Sequence, residues 1–119
     1  MDKWQAQDTY WNSYGLPAYD EMTVPDDAQM PYITYQAVSG SLDGVHSVSA
    51  SLWYKSNSWA SISQKQVEMS KTMNRQIPID GGYMKVRKPT TNEAQRMEEP
   101  NNDLVRRMLL NVEIEFLSE

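Results

Sequence analysis

Three pairs of adjacent carboxylates are the residues of this 119-residue chain best suited to acid–base chemistry. They are Asp20-Glu21, Asp26-Asp27 and Glu98-Glu99, and a general acid and a general base drawn from two such groups could support hydrolysis. All three pairs lie in proline-containing segments that we predict to be loops, where solvent favours an ordinary ionised carboxylate. Solvated surface charge is the favoured interpretation, and a small hydrolase that uses a loop carboxylate pair is the minor alternative.

The residue types give little support for a metal site, a catalytic nucleophile or a phosphate-binding loop. The one histidine, His46, has no partner at metal-ligand spacing, and we interpret it as an ordinary surface or strand-edge residue. The chain has no Cys, which excludes disulfides, thiolate nucleophiles and sulfur-based zinc sites. Gly81-Gly82 lacks the spacing of a phosphate-binding loop and is explained by a hairpin turn. The sequence therefore predicts no catalytic residue, no cofactor and no metal.

The charge balance disfavours nucleic acid as a partner. The formal net charge is −5 and the isoelectric point is near 4.8, so the summed field repels a phosphate backbone. The basic group Lys85, Arg87 and Lys88 is interpreted as a solvated strand face or a contact with a neighbour. No apolar stretch approaches a membrane span, and the first residues lack the pattern of a secretory signal. We expect synthesis in the cytoplasm, no membrane partner and no sequence-specific nucleic acid.

Two helices are predicted from the spacing of apolar residues, which is seven and three in the first helix and three and four in the second. Residues 2–14 form the first helix, with Gly15 at its C-terminal cap. Ser58 caps the second helix, whose apolar stripe should cover a sheet face made partly by the last strand. That stripe consists of Trp59, Ile62, Gln66, Met69 and Met73.

Strands are predicted where apolar and polar residues alternate. Residues 32–38 and 47–54 form a first hairpin around a connector at 39–44, and residues 77–88 form a second, shorter hairpin. A long strand covers 104–116. The fold class is therefore predicted as α+β, an α/β sandwich in which two principal helices pack on a mainly antiparallel sheet of four to five strands. Residues 1–119 form one domain.

Several runs of the sequence together resemble a known family. They are the segments 14–19, 23–27, 31–36, 50–54, 58–60 and 95–97, together with Arg106-Arg107. In order and spacing they are similar to small tail proteins of phages and prophages of Gram-positive bacteria, of the tail-terminator or tail-completion kind. The resemblance covers nearly the whole chain.

The resemblance implies a structural subunit rather than an enzyme. Such proteins form a ring, typically hexameric, at the head-proximal end of the tail tube, where the ring stops tube polymerisation and docks the neck. In headless, tail-like bacteriocins the ring would cap the tube and meet the sheath. The implied partners are copies of the same chain, the tail tube protein, and a sheath or neck and head-completion protein. The implied location is a virion or phage-tail-like particle, and another neck or head-closure component is the near alternative.

A closed ring requires two different, complementary patches on each subunit. The two long predicted loops, 16–31 and 90–103, are the natural places for these patches, because binding surfaces are usually built on loops held by a rigid sheet. We predict that Tyr19 and Met22 form one patch and that Arg96 and Met97 help to form the other. The alternative for each residue is packing onto its own domain.

Overall fold

The computed structural model describes residues 1–40, 44–100 and 102–118. These residues form two helices and seven strands. The central section of the predicted connector 39–44 lies outside the described residues, and so does residue 101 of the predicted loop 90–103. In chain order the elements are α1 Lys3–Asn12, β1 Ala18–Asp20, β2 Tyr32–Tyr35, β3 Gly44–Lys55, α2 Ala60–Ser70, β4 Arg75–Ile79, β5 Gly82–Arg87, β6 Ala94–Met97 and β7 Val105–Ser118.

The sheet corrects the predicted fold class. The prediction of an α/β sandwich with a mainly antiparallel sheet of four to five strands is wrong. The protein is mostly β, with seven strands in one curled, mixed half-barrel and two helices. The strand order is β1-β2-β3-β7-β5-β4, with β6 also paired to β7, and β1 runs parallel to β2. Helix α1 contacts both edge strands, β1 and β4, so the sheet curls around it and does not form a flat layer beneath it.

Two strands were missed because they are too short to show periodicity. β1 and β6 have three and four residues, and both lie in the segments predicted as loops, 16–31 and 90–103. Their neighbours impose the extended conformation: Ile33 N–H donates to the carbonyl of Pro17, and Glu21 N–H donates to the carbonyl of Tyr35. β6 is held by four residues of antiparallel register with β7. Pairing with a neighbouring strand gives such short segments no recognisable alternation of apolar and polar residues in the sequence.

The last strand, β7, is the centre of the sheet. Along one edge it pairs with β3 over twelve residues, from Gly44 opposite Phe116 to Lys55 opposite Val105. Along the other edge it pairs with β6 near its start and with β5 near its end. Its predicted alternation is confirmed, and the long strand extends to Ser118. The residues that alternate on its buried side are Met108, Leu110, Val112, Ile114 and Phe116.

The sheet has two unlike faces. We call the side on which both helices pack the inner face, and the opposite side the outer face. On β3 the inner residues Val48 and Leu52 are buried, whereas the outer residues Val45 and Ser47 are exposed. The inner side chains of six strands and both helices form one hydrophobic core, and Ala94 of β6 packs against it. None of the helices in the described ranges is long and apolar enough to cross a membrane.

Helix α1 is confirmed and is tied to both sides of the sheet. It begins with a capping box, in which Asp2 accepts from the N–H of Gln5 and the Gln5 side chain accepts from the N–H of Asp2. Asn12 bonds both the N–H and the carbonyl of Ala18, which anchors strand β1 to the helix. The buried Gln7 makes the same pair of bonds to Val38. These contacts satisfy backbone groups that no neighbouring strand reaches.

Helix α2 follows the predicted apolar stripe. Ile62 and Met69 are buried, Met73 is buried just beyond the helix, and Trp59 is half-buried against the core. The helix contacts β3 and β7, so the predicted packing on a face made partly by the last strand is confirmed. Ser58 lies one residue before the N-cap position, where its hydroxyl accepts from the N–H of Ala60 at 3.1 Å.

Replacement of Ile62 by Asp tests the orientation of α2. Ile62 is fully buried, so an aspartate there places an unpaired charge in the core and lowers the free energy of unfolding by several kcal/mol. We expect insoluble protein or loss of the cooperative unfolding transition in circular dichroism. The matched control is Ser61→Asp, on the exposed side of the same helix, which should stay soluble and fold cooperatively. Soluble, cooperatively folding Ile62→Asp would reject this orientation.

Buried tyrosines connect α1 to the rest of the core. The Tyr10 and Tyr14 hydroxyls share a hydrogen bond, and the Tyr10 hydroxyl donates to the carbonyl of Met73 at 2.9 Å. The Tyr35 hydroxyl donates to Asp8. Burial is the main cause that raises the pKa of Tyr10 and the pKa of Tyr35 well above the usual value of 10, and neighbouring Tyr14 and Asp8 add to it. Ionisation of either phenol is therefore strongly opposed in the folded state.

The protein should lose stability in alkali. A tyrosine whose pKa is raised on folding stays protonated in the folded chain while the unfolded chain ionises, so the free energy of unfolding falls as the pH rises above 10. Urea titrations between pH 8 and pH 11 would measure this slope. Tyr10→Phe should make the slope shallower and, because it loses the bond to Met73, should lower stability at neutral pH. Tyr83→Phe, at an exposed position, is the control. An identical slope in Tyr10→Phe would contradict the assignment.

Candidate functional site

The outer face of the sheet is a surface of adjacent strands that neither helix covers in the described parts of the chain. Its residues follow from the cross-strand registers, since directly opposed residues in neighbouring strands point to the same side. One register row runs from Tyr32 in β2 through Trp53 in β3 and Arg107 in β7 to Met97 in β6. Tyr19 in β1 lies diagonally beside Tyr32. We call these five residues the outer row.

Three of the five residues in the outer row are aromatic and lie next to one another. The Tyr19 and Tyr32 rings meet edge to face with centroids 5.8 Å apart, and the Tyr32 and Trp53 centroids are 6.4 Å apart. The indole N–H of Trp53 donates to the Thr34 hydroxyl at 2.9 Å. All three rings are half-buried in the isolated chain. Large aromatic side chains in rigid positions are typical of binding surfaces, because little conformational entropy is lost on docking.

Arg107 occupies the middle of the outer row. Its guanidinium lies 5.0 Å from the centre of the Trp53 ring, and its Nε donates to the Ser51 hydroxyl at 3.0 Å. Nη1 is 3.7 Å from Glu99 Oε1, in the segment that follows β6. These contacts hold the charge against the sheet while its side chain remains about one-third exposed. A fixed arginine beside an aromatic ring can recognise carboxylate groups or pack against an apolar partner.

Two of the four predicted interface residues lie together on this face. Tyr19 and Met97 occupy the two ends of the outer row, on strands β1 and β6. They come from loops predicted to form separate patches, yet the sheet places both on one side. Both residues are half-buried, so each has part of its surface packed on its own domain and part available for contact.

Met22 and Arg96 lie elsewhere. Met22 follows β1 and is 83% exposed, the highest value among the large hydrophobic residues that the structure describes. Arg96 points to the inner face, where its guanidinium lies 5.0 Å from the Trp59 ring and Nη2 donates to the Ser63 hydroxyl. Arg96 therefore connects β6 to α2 within the domain. Arg96 and Met97 are adjacent in β6 and point to opposite faces of the sheet, so a partner on the outer face would meet Met97 and not Arg96. Their role at a subunit interface stays a prediction.

The carboxylate pairs do not converge. Asp20 is the last residue of β1, and Glu21 and Asp26-Asp27 follow that strand at exposed positions, whereas Glu98-Glu99 lies beyond β6. A shallow depression of about 260 Å³ contains Glu98, Glu99 and Asp103 beside Trp59 and Arg106, but Glu99 is turned toward Arg107. In the described ranges no three His, Asp or Glu residues are placed to hold a metal ion. The hydrolase alternative gains no assembled acid–base pair from this arrangement.

The remaining polar residues singled out in the sequence have structural contacts. His46 lies in β3, half-buried on the inner face, with its ring 5.8 Å from the Phe116 ring. Arg87 bridges Glu113 and Glu115 of β7 at 3.0 and 3.2 Å. Lys85 and Lys88 are exposed. Gly81 forms the predicted hairpin turn with a φ of 82°, a conformation that favours glycine.

Sequence reasoning missed the centre of the outer row, although one signal was visible. Trp53 alternates with Ser47, Ser49 and Ser51 on the polar side of its strand, where a tryptophan is out of place unless it has a partner. The partner is Arg107, which carried no such signal because Arg is common on outer strand faces. Their contact depends on the register between strands separated by about fifty residues in the sequence.

Comparisons of the chain with protein-family models, with curated proteins and with solved structures give no match.

The contact between Trp53 and Arg107 should be measurable as a coupling energy. In a double-mutant cycle of Trp53→Leu and Arg107→Met, we expect a coupling of about 0.5–1 kcal/mol, as for other partly exposed cation–π pairs. The cycle is read from urea unfolding of the four proteins. The control cycle replaces Arg107→Met by Arg87→Met, which lies six residues, or about 20 Å, along the sheet from this row and should be additive with Trp53→Leu. Additivity in both cycles would contradict the contact.

Proposed function

We propose that this chain is a structural subunit of a phage-type tail, a tail-terminator-like protein that forms a ring with copies of itself at the head-proximal end of the tail tube. The ring stops tube polymerisation and docks the neck, or caps the tube and sheath in a headless particle. Its partners are its own copies, the tail tube protein, and a sheath or neck and head-completion protein. Its place of action is the virion or tail-like particle.

The observation that carries this proposal is the uncovered outer face with its aligned aromatic row. A subunit that acts by contact needs a rigid, partly apolar surface, and the outer row supplies one on five adjacent strands. Tyr19 and Met97, predicted as interface residues from their sequence segments, lie at its two ends. The sequence resemblance, which spans nearly the whole chain, supports the same conclusion and names the kind of assembly.

The distribution of stabilising contacts also supports an assembly role. The hydrophobic core is filled from the inner face, where buried residues of the sheet pack with those of the two helices. Outer-row residues can therefore contact a partner without opening the core. A ring further needs two unlike patches on each subunit. Met22, which is strongly exposed, lies outside the outer row, so the chain has a further surface for contact.

Truncation of Tyr19 and of Met97 tests the proposed interface. Tyr19→Ala and Met97→Ala should each reduce incorporation of the chain into tail particles several-fold, because each removes apolar contact area from the outer row. The isolated domain should lose at most about 1 kcal/mol, since both side chains are partly exposed. The measurements are quantitative immunoblotting of purified particles and thermal unfolding of the purified chain.

Two control variants keep the volume of the side chain at the outer row, and a third shortens a side chain elsewhere. Tyr19→Phe preserves the ring contact with Tyr32, and Met97→Leu preserves apolar volume, so both variants should be incorporated normally. Val67→Ala, at an exposed position on α2, reports on truncation away from the outer row. Normal incorporation of both alanine variants, or absence of the wild-type chain from the particles, would refute the proposed function.

A further inference from the structure

The charge of this chain is unevenly distributed along its sequence. Residues 4–54 contain no Lys or Arg, whereas residues 74–88 contain four cations and one carboxylate. The acid-rich part includes the edge strand β1, and the cation-rich part forms the hairpin β4–β5 with the other edge strand, β4. The two edges of the sheet therefore carry opposite charge.

The acid-rich edge presents a methionine on a well-held turn. We call residues 20–27 the acidic loop; it contains four carboxylates and no cation. The Met22 N–H donates to the Asp20 carboxylate, and the Thr23 N–H donates to the Asp20 carbonyl, both at 2.9 Å. These bonds fix the turn and leave the Met22 side chain 83% exposed. An unbranched thioether on a fixed turn suits a contact with an apolar surface.

The cation-rich edge carries an uncovered apolar surface. On the outer face, Tyr83 lies opposite Pro78 in β4 and opposite Leu117 in β7, and Val45 in β3 lies opposite Glu115. We call Val45, Pro78, Tyr83 and Leu117 the hairpin patch. Val45 is 52% exposed and Tyr83 is 36% exposed. Each of four adjacent strands supplies one residue to it.

Two cations lie beside the hairpin patch, and one of them, Lys85, is opposite Glu115 in the register of β5 with β7. Lys85 follows Tyr83 by two residues on the same face and is exposed, as is Lys88. Among the described residues the ion pairs of this region join Arg87 to Glu113 and Glu115, and none involves Lys85 or Lys88. Likewise, none of the described ion pairs engages the carboxylates of the acidic loop.

We propose that the acidic loop of one copy docks on the hairpin patch of a second copy, with Met22 against Tyr83 and Val45 and the loop carboxylates beside Lys85 and Lys88. The two surfaces are different and lie on different sheet edges, so the contact is heterologous and can close into a ring. This inference rests on the proposed function, because it identifies the contact between neighbouring subunits of the ring. Charge complementarity favours contact between these two unlike surfaces over a symmetric contact between edges of like charge.

Cysteine cross-linking tests the proposal, since the chain has no native Cys. Thr23→Cys, beside Met22, and Val45→Cys, in the hairpin patch, are introduced into separate full-length chains, which are mixed and oxidised mildly. We expect several-fold more disulfide-linked dimer than in a mixture of Thr23→Cys with Val67→Cys. Val67 is a matched control, because it is 55% exposed and lies on α2, outside both surfaces. Equal yields in the two mixtures would overturn the proposal.

Charge reversal separates this contact from random collision. Lys85→Glu with Lys88→Glu in the Val45→Cys chain should lower the dimer yield, as should Asp26→Lys with Asp27→Lys in the Thr23→Cys chain. Combining the two altered chains should restore the yield, because opposite charges then face each other again. Failure of this restoration overturns the charge pairing. Circular dichroism of each variant confirms that it is folded.

Localisation in particles distinguishes the inference from the proposed function. A specific cross-link between chains that are absent from tail particles would support the inference and refute the proposed function. Chains present in particles, together with equal cross-linking to Val45→Cys and Val67→Cys, would support the function and refute this contact. Cross-linking of the same pair within particles supports both.

Discussion

The pairing of β7 on both of its edges is the interaction on which the rest of the structure depends. Twelve residues of register with β3 on one side, and the shared pairing with β5 and β6 on the other, place this strand at the centre of the sheet. A shift of one residue would exchange its buried row, from Met108 to Phe116, with charged residues such as Glu113. The apolar alternation therefore determines the register, and the register determines which residues share a face.

The two faces of the curled sheet differ in what they contact. The inner face surrounds α1 and α2 and contains the core, whereas the outer face has no covering element in the described residues. Arg107 of β7 contacts Trp53 and Ser51 of β3 and Glu99 in the segment after β6, so these outer side chains are held in place while the face stays partly exposed. Stability and surface recognition can then vary separately, since a partner on the outer face leaves the core contacts intact.

The candidate surface was partly predictable. Tyr19 and Met97 were predicted as interface residues because they are apolar side chains in polar segments, and both lie on the outer face. Arg96, predicted to help form the same patch as Met97, turns its side chain inward to Trp59 and Ser63. In a segment predicted as a loop, the sequence does not say to which face of the sheet a side chain points. Because β6 is a strand, its successive side chains point to opposite faces. Recognition of β6 required its partner β7.

The sequence by itself determined the elements that have a long internal period. Both helices, the two hairpins and the strand β7 follow from apolar spacing, from caps such as Asp2 and from the turn at Gly81, all of which act within a few residues. Only the tertiary structure decided the short strands β1 and β6, the curl of the sheet around α1, and the meeting of Trp53 with Arg107. Those features depend on backbone pairing and cross-strand register between distant segments, and such long-range contacts leave no periodic trace in either partner.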